Sequence, residues 1–126
     1  MPLGVRLGTG VAILVAGGVH LWLWWHGGYR HAPGAVGPGF VADAIASAVV
    51  GVLVLARGDR WAAWIGSAVS AAALVAYGMA RTIGLDGFQE TRWTRPSLLA
   101  AACEVVVLVL LLTEALVPTD ANNARR

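Results

Sequence analysis

The fold is decided by the stretch at residues 17–47, which reads GGVHLWLWWHGGYRHAPGAVGPGFVADAIAS. This stretch contains all three histidines of the chain, three of its six tryptophans and one carboxylate, Asp43, just inside an apolar run. The sequence on either side is almost purely hydrophobic. A short polar turn rich in glycine and proline between two long apolar runs is typical of two membrane helices joined by a loop.

The composition agrees with a membrane protein. The chain has 126 residues, of which 58% are hydrophobic and 13% are charged, and its mean hydropathy is +0.70. Soluble domains contain about 45–50% apolar and about 25% charged residues. The net charge is only +2 and no basic run is long, which argues against a nucleic-acid partner. The single cysteine, Cys103, cannot form an internal disulfide.

Four apolar segments predict an all-α bundle of four transmembrane helices, arranged as two antiparallel hairpins. The predicted helices cover residues 5–25, 40–56, 61–82 and 97–117, within one transmembrane domain at residues 1–118. A polar tail at residues 119–126 is predicted to be disordered. Pro38 and Pro96 are predicted to stand just before the second and fourth helices. The first apolar run ends in tryptophans instead of a small-residue cleavage site, so it is predicted to be a retained helix.

Tryptophans mark the predicted edges of the bilayer, because an indole ring is apolar and its N–H requires a polar partner. One belt is predicted to contain Trp22, Trp24, Trp25 and Trp93, and the opposite belt to contain Trp61 and Trp64. The arginines of the short loops are slightly biased toward the side that carries both chain ends. This bias favours both termini in the cytoplasm. All nine basic residues are arginine, which together with abundant alanine, glycine and valine is typical of a GC-rich bacterial genome, so a multi-pass protein of a bacterial plasma membrane is predicted.

Ionisable residues interrupt three of the four helices. His20, Asp43 and Glu104 each continue a series of small residues on their own helix, and small residues mark the faces on which membrane helices pack. All three are predicted to lie on the same side of the membrane, and Tyr77 and Arg81 reach that side at the end of the third helix. The sequence therefore predicts an intramembrane polar cluster of these five residues.

Two functions are compatible with this cluster. In the first, the cluster holds the helices together, with Arg81 paired to Glu104 or Asp43, and the protein is a non-enzymatic accessory or structural subunit. Such a subunit is expected to form a homo-oligomer or to join a larger membrane complex. In the second, His20, Asp43 and Glu104 form a pocket that handles a ligand, an ion or protons, because ionisable groups inside a membrane are candidates for such roles.

Neither a metal nor a cofactor is predicted. One imidazole and two carboxylates are an acceptable donor set for a divalent transition metal, but they lie on three helices and follow no metal-binding spacing. Haem ligation usually requires two facing histidines, whereas His26 lies about 240° around its helix from His20 and His31 lies in the loop. A quinone-like molecule, a lipid headgroup or a proton is compatible with the pocket. No nucleophile–base pair is visible, so the chain is predicted not to be an enzyme.

Two stretches carry a family resemblance: HLWLWWHGGYRHAPGAVGP and GLDGFQETRWTRPSLLAAACEVVVLVLL. With Gly87, Phe88, Glu90 and Trp93 before a helix that carries an inward glutamate, the chain resembles small four-helix membrane proteins of high-GC bacteria. Its general plan is also similar to that of accessory membrane proteins of the DoxX kind. The resemblance implies a four-helix fold and no particular activity. The loops at residues 29–31 and 88–95 are expected to meet lipid phosphates or a protein partner.

Overall fold

The computed structural model describes residues 1–116, which form four long α-helices. The helices are α1 (Leu3–His26), α2 (Val36–Arg57), α3 (Arg60–Thr82) and α4 (Arg95–Leu116), and a 3₁₀ turn covers Tyr29–His31. Within residues 1–116 the only β-type pairing is an isolated bridge between Leu85 and Phe88. The prediction of an all-helical chain with four long apolar helices is therefore confirmed. The predicted end of the fourth helix at residue 117 and the polar tail at residues 119–126 lie outside the described residues.

The helices begin earlier than the sequence predicts, most clearly at α2. This helix starts at Val36, four residues before the predicted start at Phe40. The side chain of Asp86 accepts a hydrogen bond of 2.7 Å from the backbone N–H of Ala35 and thereby satisfies an N–H at the start of α2. Pro38 was predicted to precede the helix, but it lies inside the first turn, where a missing N–H costs no helical hydrogen bond.

The four helices form a ring in chain order. Helix α1 packs along α2 and α4, and α3 also packs against α2 and α4, whereas α1 and α3 touch only slightly. Glycine allows the close approach of α1 to α2. A Cβ atom at Gly17 would lie 2.5 Å from the Cβ atom of Ser47, and one at Gly51 would lie 2.7 Å from the side chain of Leu14. These two glycines correspond to the small-residue contacts that membrane helices use for packing.

The two ends of the helical bundle are packed differently. At the end where α2 connects to α3, all four helices contribute to one tight core. Its buried members are Ala12, Ile13, Val50, Val54, Ala62, Ala63, Val107 and Leu111. At the opposite end the helices line a partly open cavity, and a second, smaller cluster of buried residues forms around Leu23, Tyr29 and Val36.

Arg6 links α1 to the C-terminal end of α2 at the tightly packed end of the bundle. Its guanidinium group donates hydrogen bonds to the carbonyl oxygens of Leu55, 2.9 Å from Nε, and of Ala56, 3.1 Å from a terminal nitrogen. The last carbonyl groups of a helix have no partner within the helix and carry the negative end of its dipole. A cation from α1 therefore stabilises the C-terminal end of α2.

Candidate functional site

The structure brings together three of the five residues of the predicted polar cluster. His20 of α1, Asp43 of α2 and Glu104 of α4 each offer one ligand atom, and these atoms all lie within 4.8 Å of one another. The convergence depends on the ring order of the helices, because α1 is the neighbour of both α2 and α4. Tyr77 lines the same cavity from α3.

Arg81 lies apart from this group. Its guanidinium carbon sits 3.4 Å from the centroid of the Trp93 ring, and it donates a hydrogen bond of 2.8 Å to the carbonyl oxygen of Arg92. A cation over an indole face is a favourable arrangement. Within residues 1–116, neither Asp43 nor Glu104 forms an ion pair with any arginine. The expected pairing of Arg81 with one of these carboxylates is therefore not present.

His20 is held in place by its own helix. Its Nδ1 lies 2.8 Å from the carbonyl oxygen of Ala16, one turn earlier in α1, and 3.0 Å from Oδ2 of Asp43. We assign the proton of the neutral ring to Nδ1, because a carbonyl oxygen can only accept a hydrogen bond. The other ring nitrogen, Nε2, then carries a lone pair and lies 3.5 Å from Oε1 of Glu104.

Both carboxylates of the cluster present oxygens that lack a hydrogen bond. Glu104 is 3% exposed, and neither its Oε1 nor Oδ2 of Asp43 has a hydrogen-bond partner among the described residues. The contact between Asp43 and His20 is therefore electrostatic, since the Nδ1–H points to the Ala16 carbonyl. Buried polar atoms normally have a partner, and an unpaired one is costly. The site is incomplete as a purely internal network.

These polar groups lie at the wall of a cavity of about 520 Å³. Most of the remaining lining is apolar, with Phe40 and Val36 on α2 and a row of small side chains on α3. That row consists of Ala72, Ala73, Ala76 and Ala80. Pockets for small molecules typically measure about 300–1,000 Å³ and combine apolar walls with a few polar groups. The cavity matches such pockets in its volume and in its apolar lining with one polar region.

Two loops dock on each other beside the cavity. The Tyr29 hydroxyl donates a hydrogen bond to Oε2 of Glu90, and both residues are 4% exposed. The Tyr29 ring stacks on Phe40, with the two ring centroids 4.5 Å apart, and meets the edge of Phe88 at 5.8 Å. Burial, together with the hydrogen bond to Glu90, raises the pKa of Tyr29 to about 12. We name this arrangement the loop clamp.

The sequence did not reveal the loop clamp. Tyr29 and Glu90 lie in two loops that were expected to face lipid phosphates or a partner, and 61 residues separate them in the chain. Neither position belongs to a periodic pattern that would reveal its burial. The only available signal was their place in two loops on the same predicted side of the bundle. By contrast, the spacing of small residues within each helix did point to His20, Asp43 and Glu104.

No protein-family model, no curated protein and no solved structure matches this chain. A function must therefore be inferred from the site itself.

Proposed function

We propose that the protein is a multi-pass integral membrane protein whose helices form two antiparallel hairpins across a bilayer. Each helix has 22–24 residues, which corresponds to a rise of about 33–36 Å against a hydrocarbon core of about 30 Å. Large apolar side chains also point away from the bundle. Val49, Val75 and Leu112 are 56%, 62% and 60% exposed, and a hydrocarbon environment would accommodate them.

The tryptophans support the same arrangement. Five of the six are at least 49% exposed: Trp22, Trp25, Trp61, Trp64 and Trp93. Exposed indole rings near helix ends fit the interfacial belts of a membrane protein. The arginine bias favours an orientation with both termini in the cytoplasm, and the GC-rich composition favours a bacterial plasma membrane. Alkaline carbonate washing of membrane fractions tests the insertion, because an integral protein stays in the membrane. Reporter fusions at each terminus test the orientation. Release into the wash would contradict membrane insertion.

Within this membrane protein, the cavity binds a small, mainly apolar molecule whose polar group meets His20, Asp43 and Glu104. The observation that carries this proposal is the buried carboxyl group of Glu104 at the wall of an apolar cavity, because its Oε1 has no hydrogen-bond partner among the described residues. A cluster that only held helices together would pair its charges internally, because breaking or omitting one partner of a buried pair is strongly destabilising. The absence of an arginine partner for either carboxylate among residues 1–116 favours binding over a purely structural role.

Filling the cavity tests this function. Ala76 lines the cavity, whereas its neighbour Val75 is 62% exposed. Small molecules extracted from the purified wild type, Ala76→Phe and Val75→Phe proteins would be compared by mass spectrometry. We expect a stoichiometric molecule in the wild type and in Val75→Phe, and its loss in Ala76→Phe. A molecule that Ala76→Phe retains equally, or no molecule in any of the three proteins, would contradict the proposal.

A second candidate function is that of a non-enzymatic accessory subunit that assembles with itself or with a larger membrane complex. Gly78 favours it, because this glycine is exposed within α3 and a Cβ atom there would meet nothing within 4 Å. Glycine lowers helix stability by about 1 kcal/mol relative to alanine, so a contact with another chain would give it a role. A monodisperse monomer in both mild detergent and lipid nanodiscs would contradict self-assembly.

A further inference from the structure

We propose that His20, Asp43 and Glu104 bind one divalent transition-metal ion. The inference deepens the proposed function and rests on it in one respect: the bound molecule would use the coordination position that these three residues leave open. Metal binding by the protein itself can be measured without knowing that molecule.

The orientation of His20 favours coordination through Nε2. Metal-binding histidines usually donate the N–H of the other ring nitrogen to a carbonyl or carboxylate oxygen, which fixes the ring and its tautomer. The contact between Nδ1 and the Ala16 carbonyl at 2.8 Å has this form. When the ring is neutral and the Glu104 carboxyl group is deprotonated, Nε2 faces Oε1 of Glu104 with no proton between the two acceptor atoms. A cation between them removes the repulsion of the two lone pairs.

The separation of these two atoms also fits a shared metal ion. Two ligand atoms that each lie about 2.0–2.2 Å from a tetrahedral metal ion are about 3.3–3.6 Å apart. The distance from His20 Nε2 to Glu104 Oε1 is 3.5 Å. The ligand atoms of all three residues lie within 4.8 Å of one another. Coordination by Asp43 would require its carboxyl group to turn from Nδ1 toward the ion, and the terminal torsion of an aspartate has broad minima that allow this.

The charges of the site match a divalent ion. As metal ligands, which bind deprotonated, the two carboxyl groups would contribute two negative charges beside a neutral imidazole, and no arginine of residues 1–116 forms an ion pair with Asp43 or Glu104. The buried Oε1 of Glu104, which has no hydrogen-bond partner among the described residues, is the second sign of a missing cation, because buried charged groups are normally hydrogen-bonded, paired or bound to metal. One nitrogen and two oxygen ligands suit a first-row divalent metal ion, whereas Cu(I) prefers thiolate or thioether ligands.

Three protein ligands leave one position of a tetrahedral site free, as in catalytic zinc sites. Because all three residues line the cavity, this position opens toward the proposed ligand. The class of ligand that follows is an apolar molecule with a metal-binding oxygen group, such as a carboxylate or a phenolate.

Cobalt binding tests the site directly. The full-length protein would be purified in mild detergent, treated with a chelator, and titrated with Co²⁺ while the visible absorption spectrum is recorded. Zn²⁺ would then be added to displace the cobalt. We expect one equivalent of Co²⁺ with the intense bands of a four-coordinate ion. In Glu104→Gln and His20→Gln we expect an affinity loss greater than the 10–100-fold that an outer-shell partner typically contributes.

Matched variants on the same helices control for surface binding and for misfolding. His26→Gln changes an exposed histidine of α1, and Glu114→Gln changes a glutamate of α4 outside the cluster. Both should bind Co²⁺ like the wild type, and circular dichroism would establish the helix content of each variant. Asp43→Asn provides a third ligand variant if either of the others fails to fold.

Two outcomes would overturn the metal site. One is a wild-type protein that binds no Co²⁺, and the other is equal binding by the folded ligand variants, which would indicate surface coordination. The Ala76→Phe experiment separates this failure from failure of the proposed function. If a cavity ligand is found but Co²⁺ does not bind, the proposed function is supported and the metal site is contradicted. If Co²⁺ binds but no cavity ligand is found, the metal site is supported and the proposed function is contradicted.

Discussion

The Tyr29→Phe substitution tests whether the loop clamp stabilises the fold. The change removes only the hydroxyl group that donates a hydrogen bond to Glu90. The ring keeps its stacking on Phe40 and its edge contact with Phe88. Any loss of stability therefore reports on one buried hydrogen bond between two loops.

The expected magnitude follows from the partners that Glu90 retains. A hydrogen bond to a charged group contributes about 1.5–3 kcal/mol. After the substitution, Oε1 of Glu90 still accepts a hydrogen bond of 2.8 Å from the backbone N–H of Arg92, and the Arg92 Nε remains 3.9 Å away. Only Oε2 loses its partner. We therefore expect the free energy of unfolding to fall by about 2 kcal/mol.

Tyr77→Phe is the matched control, because the Tyr77 hydroxyl is buried without a partner among the described residues. Removing an unpaired hydroxyl is nearly neutral or stabilising. Equilibrium unfolding of both variants and the wild type in mixed micelles, followed by circular dichroism, measures the difference. If Tyr29→Phe is no less stable than Tyr77→Phe, the two loops are not joined by a stabilising hydrogen bond.

Three further predictions use other parts of the structure. In a Tyr77→Phe protein the remaining tyrosine, Tyr29, should titrate with a pKa of about 12 when tyrosinate absorbance is followed. Because Tyr29 loses its proton first in the unfolded chain, its contribution to the free energy of unfolding is complete below pH 10.0 and disappears as the pH rises through about 12. A titration midpoint near pH 10.0 would show that the ring is accessible to water. Gly17→Ala should lower the free energy of unfolding by about 1–3 kcal/mol through overpacking. The adjacent Gly18→Ala should not lower it, because a Cβ atom at Gly18 would meet nothing within 4 Å. Equal melting temperatures of the two variants would refute the close contact between the helices. Arg6→Gln should lower the free energy of unfolding by about 1–2 kcal/mol through the lost carbonyl contacts, measured in the same unfolding assay, and wild-type stability would contradict the link that this arginine makes between α1 and α2.

The parts of the structure that the sequence predicted depend on local patterns. Each long apolar run could be predicted to be a helix, because its length and hydropathy are properties of consecutive residues. His20 and Glu104 could be placed on packing faces because they continue small-residue series on their own helices. These two inferences need only the helical period, which a single sequence displays.

The parts that it missed depend on which of several possible partners a side chain meets in the folded protein. Arg81 was expected to neutralise a buried carboxylate, but the Trp93 ring and the Arg92 carbonyl are close to it in the chain and occupy its guanidinium group. The early start of α2 depends on Asp86, 51 residues away from Ala35. No periodicity links such positions, so only the folded loops reveal them.

The cavity itself is the strongest reason to prefer binding over a structural role for the polar cluster. The cavity of about 520 Å³ is open over part of its surface, and its volume falls within the range of small-molecule pockets, about 300–1,000 Å³. A cluster that only held helices together would not need such a space beside it. Lipid chains can fill the apolar part, but they offer nothing to Glu104. A molecule that satisfies both regions must have an apolar body and a group that meets the carboxylates, directly or through a cation.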